Sequence, residues 1–445
     1  MKLLTVFITG AFLCLVLGGC STTPEPSTGA SPINPATGQT ATTVIPTTAS
    51  STTAPPSSLP PTTAADTPAS QAANLLTSLG RVGSDQPVRI GLVAHSASVI
   101  GIGRTIDVLN DADGIQLVRI FSPEHGLAGE ADAGQAVADG TEPITGLPVI
   151  SLYGVRRAPA TRHLDDLDAV VYDLQDVGVR AFTYIATMGL VFDAAAAAGL
   201  PVFVVDRPNP QAGAVDGPVL DPGLESFISP YAIPLVYGLT SGQLGRLLVD
   251  DGYVDAGTNL TVVGPTAALG APWRAPSPNL PTLESAWLYP AVVPLEATIL
   301  SVGRGTTKPF SLIGAPTVDG RAMLDSLLTR DGLEVGLEAE TFTPESIPGM
   351  AISPRYQGQA IVGVTLSTGA ALRSPVRLAV ELIDAAMDVS SDRSAIIDRP
   401  DVFDRLIGSS SVRAALIEDR SAAEIAASWT DEVNRFTERI ERLRR

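Results

Sequence analysis

The sequence predicts an α/β protein with a doubly wound parallel sheet, and three observations carry that prediction. Short apolar runs recur between Val88 and Asp206, segments of helical character separate them, and polar residues follow the runs rather than alternate within them. A strand that is apolar on both faces belongs in a sheet covered by helices on both sides, the usual setting of parallel strands. The class is therefore α/β, doubly wound.

Val88–Val93 reads as the first strand, Ile106–Leu109 lies in a helical stretch, Leu117–Phe121 is the second strand and Val149–Tyr153 the third. Ala169–Leu174 and Pro201–Asp206 are the fourth and fifth, on either side of an Ala-rich helix around Met188–Gly199. Further on, Gln359–Ser367 reads as a strand and Val376–Met387 as a helix. The Arg/Glu-rich end from Ala422 to Arg445 reads as one exposed amphipathic helix.

Before the first strand the chain is of another kind. Lys2 precedes an apolar run from Leu3 to Leu17, too short for a comfortable membrane span, and Leu17-Gly18-Gly19-Cys20 follows. This resembles the lipobox of bacterial lipoproteins, which implies cleavage, acylation of Cys20 and an extracytoplasmic, membrane-tethered protein. Residues 21–72 are mostly Ser, Thr, Pro and Ala. Such a segment buries too little to offset its conformational entropy, so it is expected to be an extended, disordered spacer. The remainder is long enough for two domains, set at 73–265 and 266–445.

The formal charge of −18 lies almost wholly after the spacer, which argues against nucleic acid as a partner. No Gly-x-Gly-x-x-Gly, Walker loop or Gly-x-Ser-x-Gly elbow is present. Three scattered His and one Cys after the signal do not make a zinc site, so neither cofactor nor metal is expected. Acid–base work by carboxyl groups is what is left.

The residues that follow the strands fit that chemistry. His95 follows the first strand; Glu124 and His125, in Phe121-Ser-Pro-Glu-His-Gly126, follow the second; Asp173, Gln175, Asp176 and Arg180 follow the fourth; Asp206, Arg207 and Asn209 follow the fifth. Parallel strands all end at one edge, so these groups are expected to converge on one crevice. Helix capping and turn formation account for many Asp and Asn residues after strands, but not for His95, Glu124 or Arg180.

Several blocks then resemble one family. They are Phe121–Gly126, Thr145–Pro148 with Ser151–Gly154, Tyr172–Arg180 with Thr183–Ile185, and Asp206–Pro210, followed by Pro276–Thr282, Leu288–Pro290, Ser301–Phe310 and Ile313–Pro316. The chain is similar to the exo-β-N-acetylmuramidases, over nearly everything after the spacer. The resemblance implies a Rossmann-like domain holding the crevice and a smaller C-terminal α+β domain closing one side. It also implies release of N-acetylmuramic acid from the non-reducing end of peptidoglycan fragments, with Glu124 as the acid/base.

His125 or Tyr184 is expected to tune Glu124, and Asp176 to orient the acetamido group. Arg180, Arg304 or Lys308 is expected to hold the lactyl carboxylate, since guanidinium and ammonium groups pair with carboxylates. His95, Asp173, Gln175, Asp206, Arg207, Asn209 and Asn279 complete the expected sugar-binding set. The chain departs from the family at His95-Ser96, Tyr237 and Ala297-Thr-Ile299. A non-catalytic lipoprotein that binds wall glycans is the alternative of a different class.

Overall fold

The computed structural model describes residues 68–82, 86–100, 103–211, 213–264 and 273–443. The signal segment, Cys20 and most of the expected spacer lie outside the described residues. A mixed seven-stranded sheet forms the centre: β1 (Val88–Ala94), β2 (Ile115–Ser122), β3 (Gly140–Thr141), β4 (Pro148–Ser151), β5 (Ala169–Asp173), β6 (Val202–Val205) and β7 (Leu260–Val263). Its order is β7-β6-β5-β1-β2-β4-β3, parallel throughout except for the β3–β4 pair at one edge.

The chain winds from β1 out through β2 to β4, then returns to the other side of β1 and continues through β5, β6 and β7. That reversal makes β1 the switch point, and the ends of β2 and β5 flank it. In open α/β sheets this is where a crevice opens.

Burial on both faces follows from composition. Along β1, β5 and β6 alternate residues enter different cores: Val93, Val170, Tyr172, Val202 and Val204 join the larger cluster, while Ile90, Leu92, Val171, Phe203 and Val205 join the smaller one. The helix Tyr184–Ala197 is apolar on most of its surface and packs into the larger core. Ser241–Asp250 starts at a capping box in which the Thr240 hydroxyl accepts from the Gln243 N–H.

The helix Pro68–Leu79 begins inside the stretch expected to be spacer. Leu75 and Leu79 enter the smaller core, and the Gln71 amide donates to the carbonyls of Asp206 (2.8 Å) and Val263 (3.2 Å). Those contacts give the segment enough burial to fold, which its polar composition hides.

The C-terminal part carries a three-stranded antiparallel sheet, Leu312–Ile313, Ile361–Ser367 and Gly336–Phe342 in that spatial order, with helices Leu283–Val292 and Pro375–Asp388. Most of its apolar residues belong to the same cluster as Val93 and Phe121, so sheet and C-terminal helices share one core, while Leu312, Phe342 and Ile361 form a small cluster of their own. The final segment is two helices, Ala422–Ala427 and Thr430–Leu443, rather than one. Trp429 at the break is buried and its indole N–H donates to Asp216 (3.1 Å), a contact that an uninterrupted exposed helix would not make.

Candidate functional site

β2 ends at Ser122, and the chain turns sharply through Pro123, Glu124, His125 and Gly126. His125 and Gly126 both adopt left-handed backbone, φ 70° and 74°. For His125 this is a strained conformation, of a kind that persists where surroundings over-determine it. Those surroundings are a hydrogen bond of 2.7 Å between His125 Nδ1 and the carbonyl of Ala131, and the return bond from the Ala131 N–H to the His125 carbonyl (3.1 Å).

The turn presents Glu124 and His125 to a cavity of about 270 Å³. Its walls also carry Tyr153, Thr183, Glu296 and Arg304, with Tyr289 and Phe310 supplying apolar surface. The Glu124 carboxyl is held from three sides. Gly134 N–H donates to Oε1 (2.7 Å), the Thr183 hydroxyl donates to Oε2 (2.6 Å), and the Tyr153 hydroxyl bonds the same carboxyl. A backbone N–H can only donate, so Oε1 is fixed as an acceptor. Hydroxyl groups rotate, so Oε2 is the oxygen free to carry a proton.

The loop that supplies Gly134 is braced from the C-terminal part, where the Ile352 N–H donates to Asp132 (2.8 Å). Burial, more than the Arg304 charge, pulls the His125 pKa down, although the Glu124 charge opposes this. With Nδ1–H spent on the Ala131 carbonyl, neutral His125 retains an acceptor at Nε2.

Arg304 lies over the Phe310 ring, 5.0 Å from its centroid, and its Nε–H donates to Glu296 Oε1 (2.6 Å). Its two terminal nitrogens have no hydrogen-bond partner among the described residues. They are free guanidinium donors at the cavity, whose wall Arg399 also joins.

Three of the expected site residues therefore meet in one cavity: Glu124, His125 and Arg304. The others do not line it, and each has a structural task. Arg180 is fully buried and gives its N–H groups to the carbonyls of Pro218, Ile233, Leu406 and Ile407, with Ser229 on Nε. It cannot reach a lactyl carboxylate, because its charge is spent tying the loop after β5 to the C-terminal helix Pro400–Ile407. Lys308 pairs with Glu340 (2.8 Å) on an exposed surface, which removes it from that role too.

Arg207 bonds Asp173 (2.5 Å) and the carbonyl of Val99. Asp206 accepts from Gly242 N–H at the start of its helix (2.7 Å). Asn209 bonds Leu239 and Gln211, Gln175 bonds the carbonyls of Asp176 and Pro208, and Asn279 donates to the Met350 carbonyl.

His95 faces two backbone donors, Ala97 N–H at Nδ1 (3.2 Å) and Gln175 N–H at Nε2 (2.9 Å). Burial, assisted by the Arg207 charge, pushes its pKa down to about 3, so the ring is neutral. Tyr184 donates to the carbonyl of Pro276 (2.8 Å) and lies 3.3 Å from that of Glu124, so it touches the backbone of the turn and not the carboxyl. Asp176 lies under the site, with Oδ2 bonded by the Tyr237 hydroxyl and Oδ1 without a partner among the described residues.

Thr183, Tyr153 and Glu296 escaped the sequence reading as site residues. The first two lie in blocks already noted, Thr183–Ile185 and Ser151–Gly154, but a hydroxyl beside a motif carries little signal. Glu296 had a clearer one, since it is the single charge in the apolar run Ala291–Leu300. A carboxyl in such a run is costly unless something uses it.

A carboxyl-centred pocket at the switch point of a doubly wound sheet defines an α/β enzyme site of acid–base type. Residues 90–284 match the family model for Exo-beta-N-acetylmuramidase NamZ, N-terminal, and residues 287–444 match Exo-beta-N-acetylmuramidase NamZ, C-terminal. The chain belongs to the exo-β-N-acetylmuramidase family. It is 35% identical over 360 residues to the peptidoglycan beta-N-acetylmuramidase NamZ of Bacillus subtilis (strain 168), covering 78% of this chain and 84% of the relative.

Two crystal structures of DUF1343 family proteins from Bacteroides fragilis share the fold at 29% identity. Their TM-scores are 0.72 and 0.69, and each alignment covers 84% of this chain and 98% or 97% of theirs.

The buried carboxyl of Asp176 gives a pH prediction. Burial raises its pKa from 3.8 to about 6. The folded state thus holds the proton more tightly than the unfolded one. The stability from this group is complete below the unfolded value and is lost as pH rises through about 6. Asp176→Asn is expected to be more stable than the parent at pH 7.5, by roughly 3 kcal/mol at most, and to show no such gain near pH 3.5. Urea unfolding at both pH values checks this; a variant weaker than the parent at both would contradict it.

Proposed function

We propose that this chain cleaves the β-glycosidic bond of a terminal N-acetylmuramic acid unit, with Glu124 as general acid. The observation that carries the reading is the Glu124 carboxyl itself: one oxygen is locked by a backbone N–H, and the other, facing the rotatable Thr183 hydroxyl, is available to hand a proton to the glycosidic oxygen. Thr183 keeps Oε2 in place before and after transfer, because a hydroxyl can donate to the carboxylate or accept from the carboxylic acid.

Size and charge support the substrate. The cavity is slightly smaller than the roughly 300–1,000 Å³ of drug-sized sites, a space for one substituted sugar rather than a stretch of glycan. Arg304 turns its unpaired guanidinium nitrogens to that space, and the lactyl carboxylate of muramic acid is the group they fit. Tyr289 and Phe310 offer apolar surface for the sugar ring.

Cys20, with the apolar run before it, supports acylation and tethering to the outer face of a membrane, with residues 21–67 holding the folded part away. Among the described residues no helix is long and apolar enough to cross a membrane.

Glu124→Gln is expected to lower kcat on a muramide, N-acetylmuramyl-N-acetylglucosamine, whose sugar leaving group needs a proton, by roughly 10²–10⁴-fold with Tm retained. Turnover at the parent rate would remove Glu124 from the acid role. Binding of the muramide by the parent chain without any turnover would instead favour the non-catalytic wall-glycan binder.

Arg304→Met is expected to cut kcat/KM for the muramide roughly 10–100-fold more than for the matching N-acetylglucosaminide, whose own loss reports the Arg304–Glu296 bond. An equal loss on both substrates would mean that the carboxylate is not read by this residue. Cys20→Ala is expected to move the protein from the membrane to the soluble fraction and to abolish labelling by a palmitate analogue. Continued labelling would place the lipid elsewhere.

A further inference from the structure

We infer that Glu296 is the second catalytic carboxylate, the base that activates the attacking water; this rests on the glycosidase reading of the Glu124 cavity. Glu296 sits in the turn Val293–Ala297 that follows the helix Leu283–Val292. Val293, Pro294, Leu295 and Ala297 around it are all buried, and of this turn Val293 and Glu296 line the cavity, Glu296 as its one charge. The one bonded partner of Glu296 among the described residues is Arg304.

Its geometry suits proton transfer. Arg304 Nε–H holds Oε1 at 2.6 Å, and Oε2 has no hydrogen-bond partner among the described residues. The side chain keeps 27% of its surface accessible. One oxygen is thus anchored and the other is open to a small ligand, whereas both oxygens of Glu124 are bonded.

The two carboxyls also share electrostatic neighbours. Arg304 is stabilised in its charged form by Glu296 and, more weakly, by Glu124, and Tyr289, pushed up mainly by burial, is raised further by both acids and by Asp176. Both neighbours line the cavity, so the two acids act on one space. Asp176, expected to orient the acetamido group, does not line the cavity and is bonded to Tyr237.

The step balances as a single displacement. Glu124 Oε2–H gives its proton to the glycosidic oxygen as the C1–O bond breaks, and the leaving alcohol departs neutral. A water bonded to Glu296 Oε2 adds to C1, and its proton passes to Glu296. Solvent exchange then returns the proton inventory to its starting state, with Glu296 ionised and Glu124 protonated. The configuration at C1 inverts, so the first product is the α-anomer.

The test uses the parent protein, Glu296→Gln and Glu296→Ala with 4-nitrophenyl β-N-acetylmuramide. The parent is expected to release the α-anomer first, followed by NMR. Both variants are expected to lose roughly 10²–10⁴-fold in kcat while KM and Tm stay near the parent values. Sodium azide is expected to restore turnover in Glu296→Ala and to yield the α-glycosyl azide, because the small anion fills the space of the deleted carboxylate and needs no base.

Parent activity with undiminished turnover in Glu296→Gln would overturn the Glu296 role and leave Glu124 untouched. A β-anomer as first product would overturn it too. A loss of kcat that azide does not relieve, with KM raised, would mean that Glu296 only positions Arg304. An inactive parent would sink the glycosidase reading itself, and this inference with it.

Discussion

The structure depends on a loop that ought not to be buried. Residues 174–183, after β5, are enclosed throughout, and an irregular segment inside a protein must find a partner for every backbone polar group. Arg180 is the centre of that solution. Its guanidinium meets carbonyls from four other positions, two of them at the end of Pro400–Ile407, so a single buried cation ties the sheet to the C-terminal part. Gly408 is obligatory beside it, since its φ is 102° and a Cβ there would lie 2.3 Å from Arg180 Nη2.

What the loop secures is the carboxyl of another segment. With Arg180 fixed, Thr183 reaches Glu124 Oε2 and Tyr184, the first residue of its helix, reaches the backbone of the same turn. Glu124 comes from β2 and its partners come from the loops after β2, β4 and β5, the strands on either side of the switch point and beyond it. The carboxyl is thus held by topology rather than by neighbours in sequence, which suits the proposed proton transfer, where geometry must not drift.

How much of this was legible depends on the kind of signal. The central strands were legible because burial on both faces leaves continuous apolar runs, and Glu124 and His125 because they stand at the end of one. The spread of the remaining residues was not. Arg180, Asp206 and Asn209 follow strands just as Glu124 does, yet they satisfy buried backbone groups or a helix start. From sequence, a side chain that serves the scaffold and one that faces a ligand look alike. Lys308 carries the charge a carboxylate needs, but charge says nothing about direction, and it pairs with Glu340 on the outside.

The C-terminal part shows the converse. Glu296 and Arg304 are eight positions apart in a region without strand-end logic, and only folding onto the larger core sets them opposite the turn after β2. The residues that complete the cavity thus come from the half of the chain whose sequence pattern is weakest.

The most direct measurement is a crystal structure of Glu124→Gln with a muramyl disaccharide bound. The account predicts the glycosidic oxygen within about 3 Å of the residue-124 side chain, the lactyl carboxylate on Arg304 and the anomeric carbon turned to Glu296. A sugar seated away from this cavity, or with its carboxylate on Lys308, would contradict it.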